Sequence, residues 1–485
     1  MNAEHHRIVI IGAGFSGLGM AIRLQQRGIT DFLVLERASR VGGTWRDNTY
    51  PGCACDIPSH LYSYSFALNP DWSESYARQP EILEYIEGLV GQYMLEPRIR
   101  LHHEVTRAAW NETDARWEIQ TSAGDFTAHY LISGHGPLAE PKFPNIAGLE
   151  TFTGTVFHSA RWDHGFDPTG KRVAVIGTGA SAVQFVPEIA PATAQLYVFQ
   201  RTPPWVVPRM NRAIPPEERE RFKRQPWRQR LERAMQYALR EINVLGFSNA
   251  TFERLAMSVS KKHLEAQISD PDLREKLTPN YRMGCKRITV SDDFYPALAR
   301  DNVELVTDAV QALEPNGVRT ADGRLREVDA IILGTGYHTA ESPAFKLFHG
   351  RDGIRLFDAW RGSPEAYLGM SVAGFPNLFL MVGPNTGLGH NSIIYMIEAQ
   401  ISYILGALEY AQFHGIRVLE VCRDAQERFN TELQARLKPM VWTQGGCTSF
   451  YQDARGRNIG LWPGFTFPYR WRTRRFDPAP YRAAP

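Results

Sequence analysis

Cysteine is scarce. The chain has five in 485 residues (Cys53, Cys55, Cys285, Cys422 and Cys447), an odd set without the paired spacing of a metal site. This argues against disulfides and structural zinc and suits a reducing cytoplasm. No surplus of one charge exists either. Fifty-four Lys plus Arg against 52 Asp plus Glu leave +2, so no nucleic-acid partner is expected. A long uncharged hydrophobic run is also missing. The best candidate, 393–410, carries Glu398 and Glu409, which a bilayer core would strongly disfavour, so it reads as a buried helix and no membrane partner is expected. The opening residues run from Arg7 straight into the apolar Ile8–Ile11 and a glycine, which does not read as a secretory leader, and a cytoplasmic location is expected. Low-complexity tracts and solenoid repeats are absent.

What is present is a globular composition, 43% hydrophobic and 22% charged, with length for roughly two to four domains or one composite fold. Two distant segments resemble each other: RIVIIGAGFSGLGMAIRL from Arg7 and RVAVIGTGASAVQFVPEI from Arg172. Each reads as a buried strand, a glycine turn and a helix. Such a turn lets backbone approach a pyrophosphate, whose charge then sits on the free N–H groups of the helix N-terminus. The end of the following strand separates the copies. Glu36 closes DFLVLE, and at the same offset from its turn Arg201 closes QLYVFQR. A carboxylate accepts from ribose hydroxyls, whereas a guanidinium fits a 2′-phosphate, so the first site should take FAD or NAD and the second NADPH. Gly12, Gly14, Gly17 and Glu36 are the candidates in the first site, and Gly177, Gly179, Ser181, Arg201 and Thr202 in the second.

The fold class expected is α/β, with two Rossmann-like dinucleotide-binding domains and a helical insertion. The first domain reads as discontinuous, residues 1–145 with 326–485, around a second domain at 146–325. The insertion, at about 214–278, is rich in Arg, Glu and Leu and reads as a solvated charged helical face. A flavin site beside an NADPH site implies hydride transfer to the flavin. Disulfide reductases on this plan put a cysteine directly after Gly-Gly-Thr. Here Trp45 follows Gly42-Gly43-Thr44, and Cys53 with Cys55 lie farther on, better read as small buried residues than as a redox pair.

Two further motifs carry a family resemblance. Phe152, Gly154, His158, Trp162 and Asp163 fit FxGxxxHxxxW(P/D), and Gly42, Gly43, Trp45, Tyr50, Pro51, Gly52 and Asp56 fit GGxWxxxx(F/Y)P(G/M)xxxD. In both, and over Ile8 to about Tyr469, the chain resembles the type I Baeyer-Villiger monooxygenases. The resemblance implies FAD and NADPH as cofactors and O2 with a ketone or aldehyde as substrates. It implies a C4a-peroxyflavin that attacks the carbonyl to give an ester or lactone. By the same resemblance Arg287 is the catalytic arginine and Asp56 the carboxylate that positions it. Thr44, Trp45, Asp56 and Tyr62 border the flavin, Val105 meets the adenine through its backbone, and Lys286 helps hold the 2′-phosphate. His158 acts through structure, not as a base. The turn Gly383 to Ser392 opens a helix whose positive end could face reduced flavin. Two departures stand out: His135 in the Ser133-Gly134-His135-Gly136 turn, and Phe450 after Ser449, which lacks an indole donor. The rival functions are oxygenation of nitrogen or sulfur and a non-catalytic flavin sensor. Sequence leaves the ketone and the oligomeric state open, and no metal is expected.

Overall fold

The computed structural model describes residues 3–339 and 341–484. Its first sheet is built around Glu4–Ile11, flanked in parallel by Phe32–Leu35 and Gly124–Ser133. Ile8, Val9 and Ile10 are fully buried, which is how a strand covered on both faces must read. Val105–Asn111, Arg116–Thr121 and Gly124–Ser133 form an antiparallel meander on one side, and Leu378–Leu380 joins the far end of the last strand. The second sheet is wholly parallel, in the order Val303–Val306, Gln195–Phe199, Arg172–Ile176, Ala330–Leu333 and Thr155–His158.

Ala330–Leu333 lies past residue 326, where the sequence division returns the chain to the first domain, yet it is paired inside the second sheet. Four buried apolar residues fit either sheet equally well, so their pattern carries no information about the partner. The segment 214–278 is helical as expected: Pro216–Arg224, Pro226–Ile242, Ala250–Gln267 and Pro271–Leu277. Pro216–Arg224 and Pro271–Leu277 turn charged residues outward as composition suggests, whereas the outward faces of Pro226–Ile242 and Ala250–Gln267 do not.

Ile393–His414 is a buried helix, capped by the Ser392 hydroxyl and ended by Gly415 in the left-handed region. Its Glu398 accepts from the Ser65 backbone and hydroxyl, both at 2.6 Å, and Glu409 pairs with Arg27 at 2.9 Å. Among the described residues no helix is long and apolar enough to cross a membrane, and no cluster of His, Cys, Asp and Glu could hold a metal. The expectation of no disulfide is overturned. Cys285 and Cys447 are bonded, brought together where the Arg282 N–H donates to the Gly445 carbonyl at 3.0 Å. A contact 162 residues apart leaves no trace in spacing.

Candidate functional site

At the first turn two backbones pass too close for any side chain. A Cβ on Gly17 would lie 1.8 Å from the Gly12 carbonyl oxygen, and one on Gly12, whose φ is +92°, would lie 2.9 Å from that of Gly134. Gly14 begins helix Phe15–Gln26 with no side-chain cap and no acid in the first turn. Its N–H groups therefore keep the positive end of the dipole free for a pyrophosphate. Gly43 packs on Gly14, so a Cβ on either would meet the other's backbone, which leaves a bare cradle between the two glycine turns. Glu36 is 5% exposed. It accepts from the Ala13 and Ala38 N–H groups at 2.8 and 3.0 Å and from Arg46 at 2.8 Å. A carboxylate has about four acceptor sites, so one remains for a ribose hydroxyl. The His103 N–H donates to the Glu36 carbonyl, and Val105 opens the strand just beyond. These residues fit FAD.

The second turn repeats the plan. A Cβ on Gly177 would sit 2.4 Å from the Gly334 oxygen, and Gly179 begins helix Ala180–Ile189, again without side-chain cap or acid. Ser181 lies in its first turn beside the Tyr50 hydroxyl, and the Thr178 hydroxyl donates to the Thr202 carbonyl at 3.4 Å. Arg201 is exposed at the end of Gln195–Phe199. Lys286 stands close enough that, after burial, the Arg201 charge is the next cause lowering its pKa. Two cations gathered without a carboxylate partner suit a phosphate, so this turn fits NADPH.

Between the turns stands Arg287. Its Nε donates to Asp56 Oδ2 at 3.0 Å, a terminal nitrogen closes on the same oxygen, and Nη1 donates to the Leu388 carbonyl at 2.9 Å. The Asp56 charge is the main cause that raises the arginine's pKa, against burial. The pair is not sealed: 29% of the Arg287 side chain and 28% of Asp56 stay accessible. Of a guanidinium's five N–H donors, Asp56 and Leu388 take three. Trp45 and Tyr62 meet edge to face, with the indole N–H donating to the phenol at 3.1 Å. Burial drives the Tyr62 pKa well up, with Asp56 and Arg287 among the charges it feels. Thr44 is exposed at the start of the short helix that carries Trp45.

The two sequence motifs meet in space. Tyr50 donates to Gln184 at 3.0 Å, and the Ala54 carbonyl accepts from the same amide at 2.9 Å, which docks the Trp45 motif on helix Ala180–Ile189. Tyr337 donates to Asn48 at 2.5 Å and packs on His158. His158 is 1% exposed, its Nδ1 accepts from the Ala160 N–H at 3.0 Å, and burial lowers its pKa to about 4. A neutral ring used as a cap is not a base. Cys53 and Cys55 are buried free thiols, and burial pushes Cys53 to about 12 and Cys55 higher still, which makes them poor redox nucleophiles. Phe450 is half exposed, and its carbonyl accepts from Thr339.

Sequence reasoning missed several groups. Arg46 follows Trp45 directly and holds Glu36, Asp47 and the Arg40 carbonyl. Its signal was its place in the motif. Tyr451 stands by Arg287, whose charge opposes the rise that burial imposes on the phenol, and the Leu388 carbonyl holds the guanidinium. A backbone carbonyl has no sequence signal. Glu241, from the insertion, accepts from Asn391 at 2.7 Å, His390 at 3.3 Å and Thr466, and nothing in its local pattern foretold that.

Two dinucleotide cradles with an arginine–carboxylate pair between them define a flavin- and pyridine-nucleotide-dependent oxidoreductase. Comparison agrees. Residues 9–253 match the pyridine nucleotide-disulphide oxidoreductase family. The chain is 51% identical over 483 residues to a Baeyer-Villiger monooxygenase of Pseudomonas aeruginosa, covering 99% of this chain and 92% of that one. Among solved structures it superposes on OTEMO in complex with FAD and NADP with a TM-score of 0.89, 29% identity and full coverage of both chains. It also superposes on ε-caprolactone-bound cyclohexanone monooxygenase with a TM-score of 0.87, 28% identity, and 99% and 100% coverage. The chain belongs to the Baeyer-Villiger monooxygenase family. It is an FAD- and NADPH-dependent monooxygenase acting on a small molecule.

Proposed function

We propose that the substrate is a ketone or aldehyde, converted to an ester or lactone beside Arg287. The observation that carries this reading is the guanidinium itself, fixed by Asp56 and the Leu388 carbonyl with donors left over. FAD held there and reduced by NADPH would supply the electrons that activate O2. Arg287 then stabilises the negative charge that develops on oxygen during attack on a carbonyl, a task that favours a cation which cannot lose its proton. Asp56 orients the guanidinium. Gly12, Gly14, Gly17, Glu36, Thr44, Trp45, Tyr62 and Val105 hold and border FAD. Gly177, Gly179, Ser181, Arg201, Thr202 and Lys286 hold NADPH. The FAD domain comprises the chain before about residue 145 and after the strand Ala330–Leu333. NADPH as reductant supports a cytoplasmic setting, although the Cys285–Cys447 bond removes the cysteine argument for one.

Arg287→Ala and Arg287→Lys test the assignment, with NADPH consumption and product formed measured side by side on a panel of ketones and sulfides. Ester formation should fall by about 10²–10³ in Arg287→Ala, while NADPH is still oxidised. Retained ester formation would overturn the role. Sulfide oxidation without any ester from the unsubstituted enzyme would favour the heteroatom-oxygenating alternative.

A further inference from the structure

Two helices of the insertion are amphipathic in the wrong sense. In Pro226–Ile242 the buried residues are polar: Gln229, Arg233 and Glu241. Gln229 donates to the Asn69 carbonyl, Arg233 to the carbonyls of His60, Leu61 and Ser63, and Glu241 accepts from Thr466. The open residues are apolar: Trp227 at 56%, Leu231 at 53%, Met235 at 48%, Leu239 at 65% and Ile242 at 51%. Ala234 and Ala238 are exposed between them, so 231, 234, 235, 238, 239 and 242 form an uncharged stripe at helical spacing. Ala250–Gln267 repeats the inversion. Glu253 and Ser260 are buried on Arg282 and the Val206 carbonyl, with Leu264 the one apolar residue buried beside them, whereas Phe252, Leu255 and Val259 are open. Five large apolar side chains on the first helix and three on the second thus stand about half open to water, and apolar faces of this kind rimmed by polar residues mark interaction sites.

The charges around the stripes choose the occupant. The exposed ionised residues from Trp227 to Gln267 are five cations, Arg228, Arg230, Arg254, Lys261 and Lys262, against one acid, Glu265, while Glu232 is half-buried and Glu241 and Glu253 are buried. The neighbouring helix Thr466–Thr473, tied to the insertion through Thr466, Glu241 and Tyr237, adds exposed Phe467, Trp471 and Arg472. A second copy would set these cations against their own images. Anionic headgroups would pair with them, and Trp, Leu and Phe set beside basic residues suit the boundary between headgroup and acyl chain. We propose that this face docks the enzyme reversibly on an anionic phospholipid surface, a peripheral contact that needs no spanning helix and revises the expectation of no membrane partner. It is independent of the role given to Arg287.

The test is sedimentation of the FAD-loaded full-length protein with sucrose-loaded vesicles of phosphatidylcholine alone or mixed with phosphatidylglycerol, at low and high salt. Partitioning onto the anionic vesicles should exceed that onto neutral ones by about tenfold or more and fall with salt. Leu231→Asp with Leu239→Asp should remove it, and Arg230→Glu with Lys262→Glu should weaken it, both with flavin content and NADPH oxidation unchanged. Leu239→Ser is the milder variant should the paired aspartates lower Tm, and it should reduce binding in the same direction. Absence of phosphatidylglycerol-dependent binding, or equal binding by these variants, would overturn the proposal. A dimer that Leu231→Asp with Leu239→Asp dissociates, without vesicle binding, would give the face to a second copy instead and also overturn it.

Discussion

Replacing Glu241 by Gln should be one of the more damaging conservative changes in the insertion. Its Oε1 accepts from His390, Asn391 and the Thr466 hydroxyl, and its Oε2 from the Thr466 N–H at 2.8 Å. An amide in its place must turn N–H groups toward donors, whichever oxygen it replaces. One charge-assisted bond lost costs about 1.5–3 kcal/mol and one buried donor left without an acceptor about 1–3 kcal/mol, together about 2.5–6 kcal/mol. Unfolding entropy of about 2.1 cal/mol/K per residue over the whole chain gives about 1 kcal/mol/K, so Tm should drop by about 2.5–6 °C. Burial raises the Glu241 pKa, but hydrogen bonds from His390, Thr466 and Asn391 outweigh it and bring the pKa below 4.5. The carboxylate's contribution is therefore complete above the unfolded value of 4.5 and is lost as pH falls through the folded pKa. The Tm gap between the two proteins should stay constant from neutral pH to about 5 and close below that. Because His390 lies two residues from Leu388, whose carbonyl holds Arg287, Glu241→Gln should also lower the ester formed per NADPH consumed. An unchanged Tm, or a gap that widens in acid, would refute this account.

Arg201→Ala and Lys286→Ala should each raise KM for NADPH by about tenfold to a hundredfold, as loss of a charged hydrogen bond to phosphate implies, and leave KM for NADH nearly unchanged. Equal effects on both coenzymes would dissociate these residues from the 2′-phosphate. Unfolded without reductant, the protein should titrate three thiols, Cys53, Cys55 and Cys422, and five after reduction; five before reduction would exclude the Cys285–Cys447 bond. Cys53, held near 12 by burial, should resist alkylation in the native state near neutral pH. His158 is depressed by burial from 6.5 to about 4, so the unfolded chain takes up more protons as pH falls between those values and stability declines there by up to about 3 kcal/mol. His158→Gln should flatten that part of the Tm profile, and an identical slope would count against the buried neutral ring.

Sequence was most informative where backbone must come close to backbone. Gly12, Gly17 and Gly177 are dictated by contacts in which a Cβ would collide with a carbonyl, and the proposed ribose and phosphate roles of Glu36 and Arg201 rest on the chemistry of the residue at the next strand end. Cysteine reasoning failed for Cys285 and Cys447, because spacing says nothing about two loops folded onto each other. The insertion was legible as helices but not in its orientation. Its arginines and glutamates count as surface in a composition, yet Arg233 and Glu241 are buried and Leu231 and Leu239 exposed, since facing carbonyls and hydroxyls satisfy the charges inside.

The linear chain by itself determined the two strand, glycine-turn and helix units, the pair of cofactors and the family, because those are written in residues close together in sequence. Tertiary structure alone decided that Ala330–Leu333 joins the second sheet, that Asp56 and the Leu388 carbonyl converge on Arg287, and that the insertion turns its apolar stripe outward. Each of these depends on groups remote in sequence whose charges, hydrogen bonds and volumes become comparable only after the chain has brought them together.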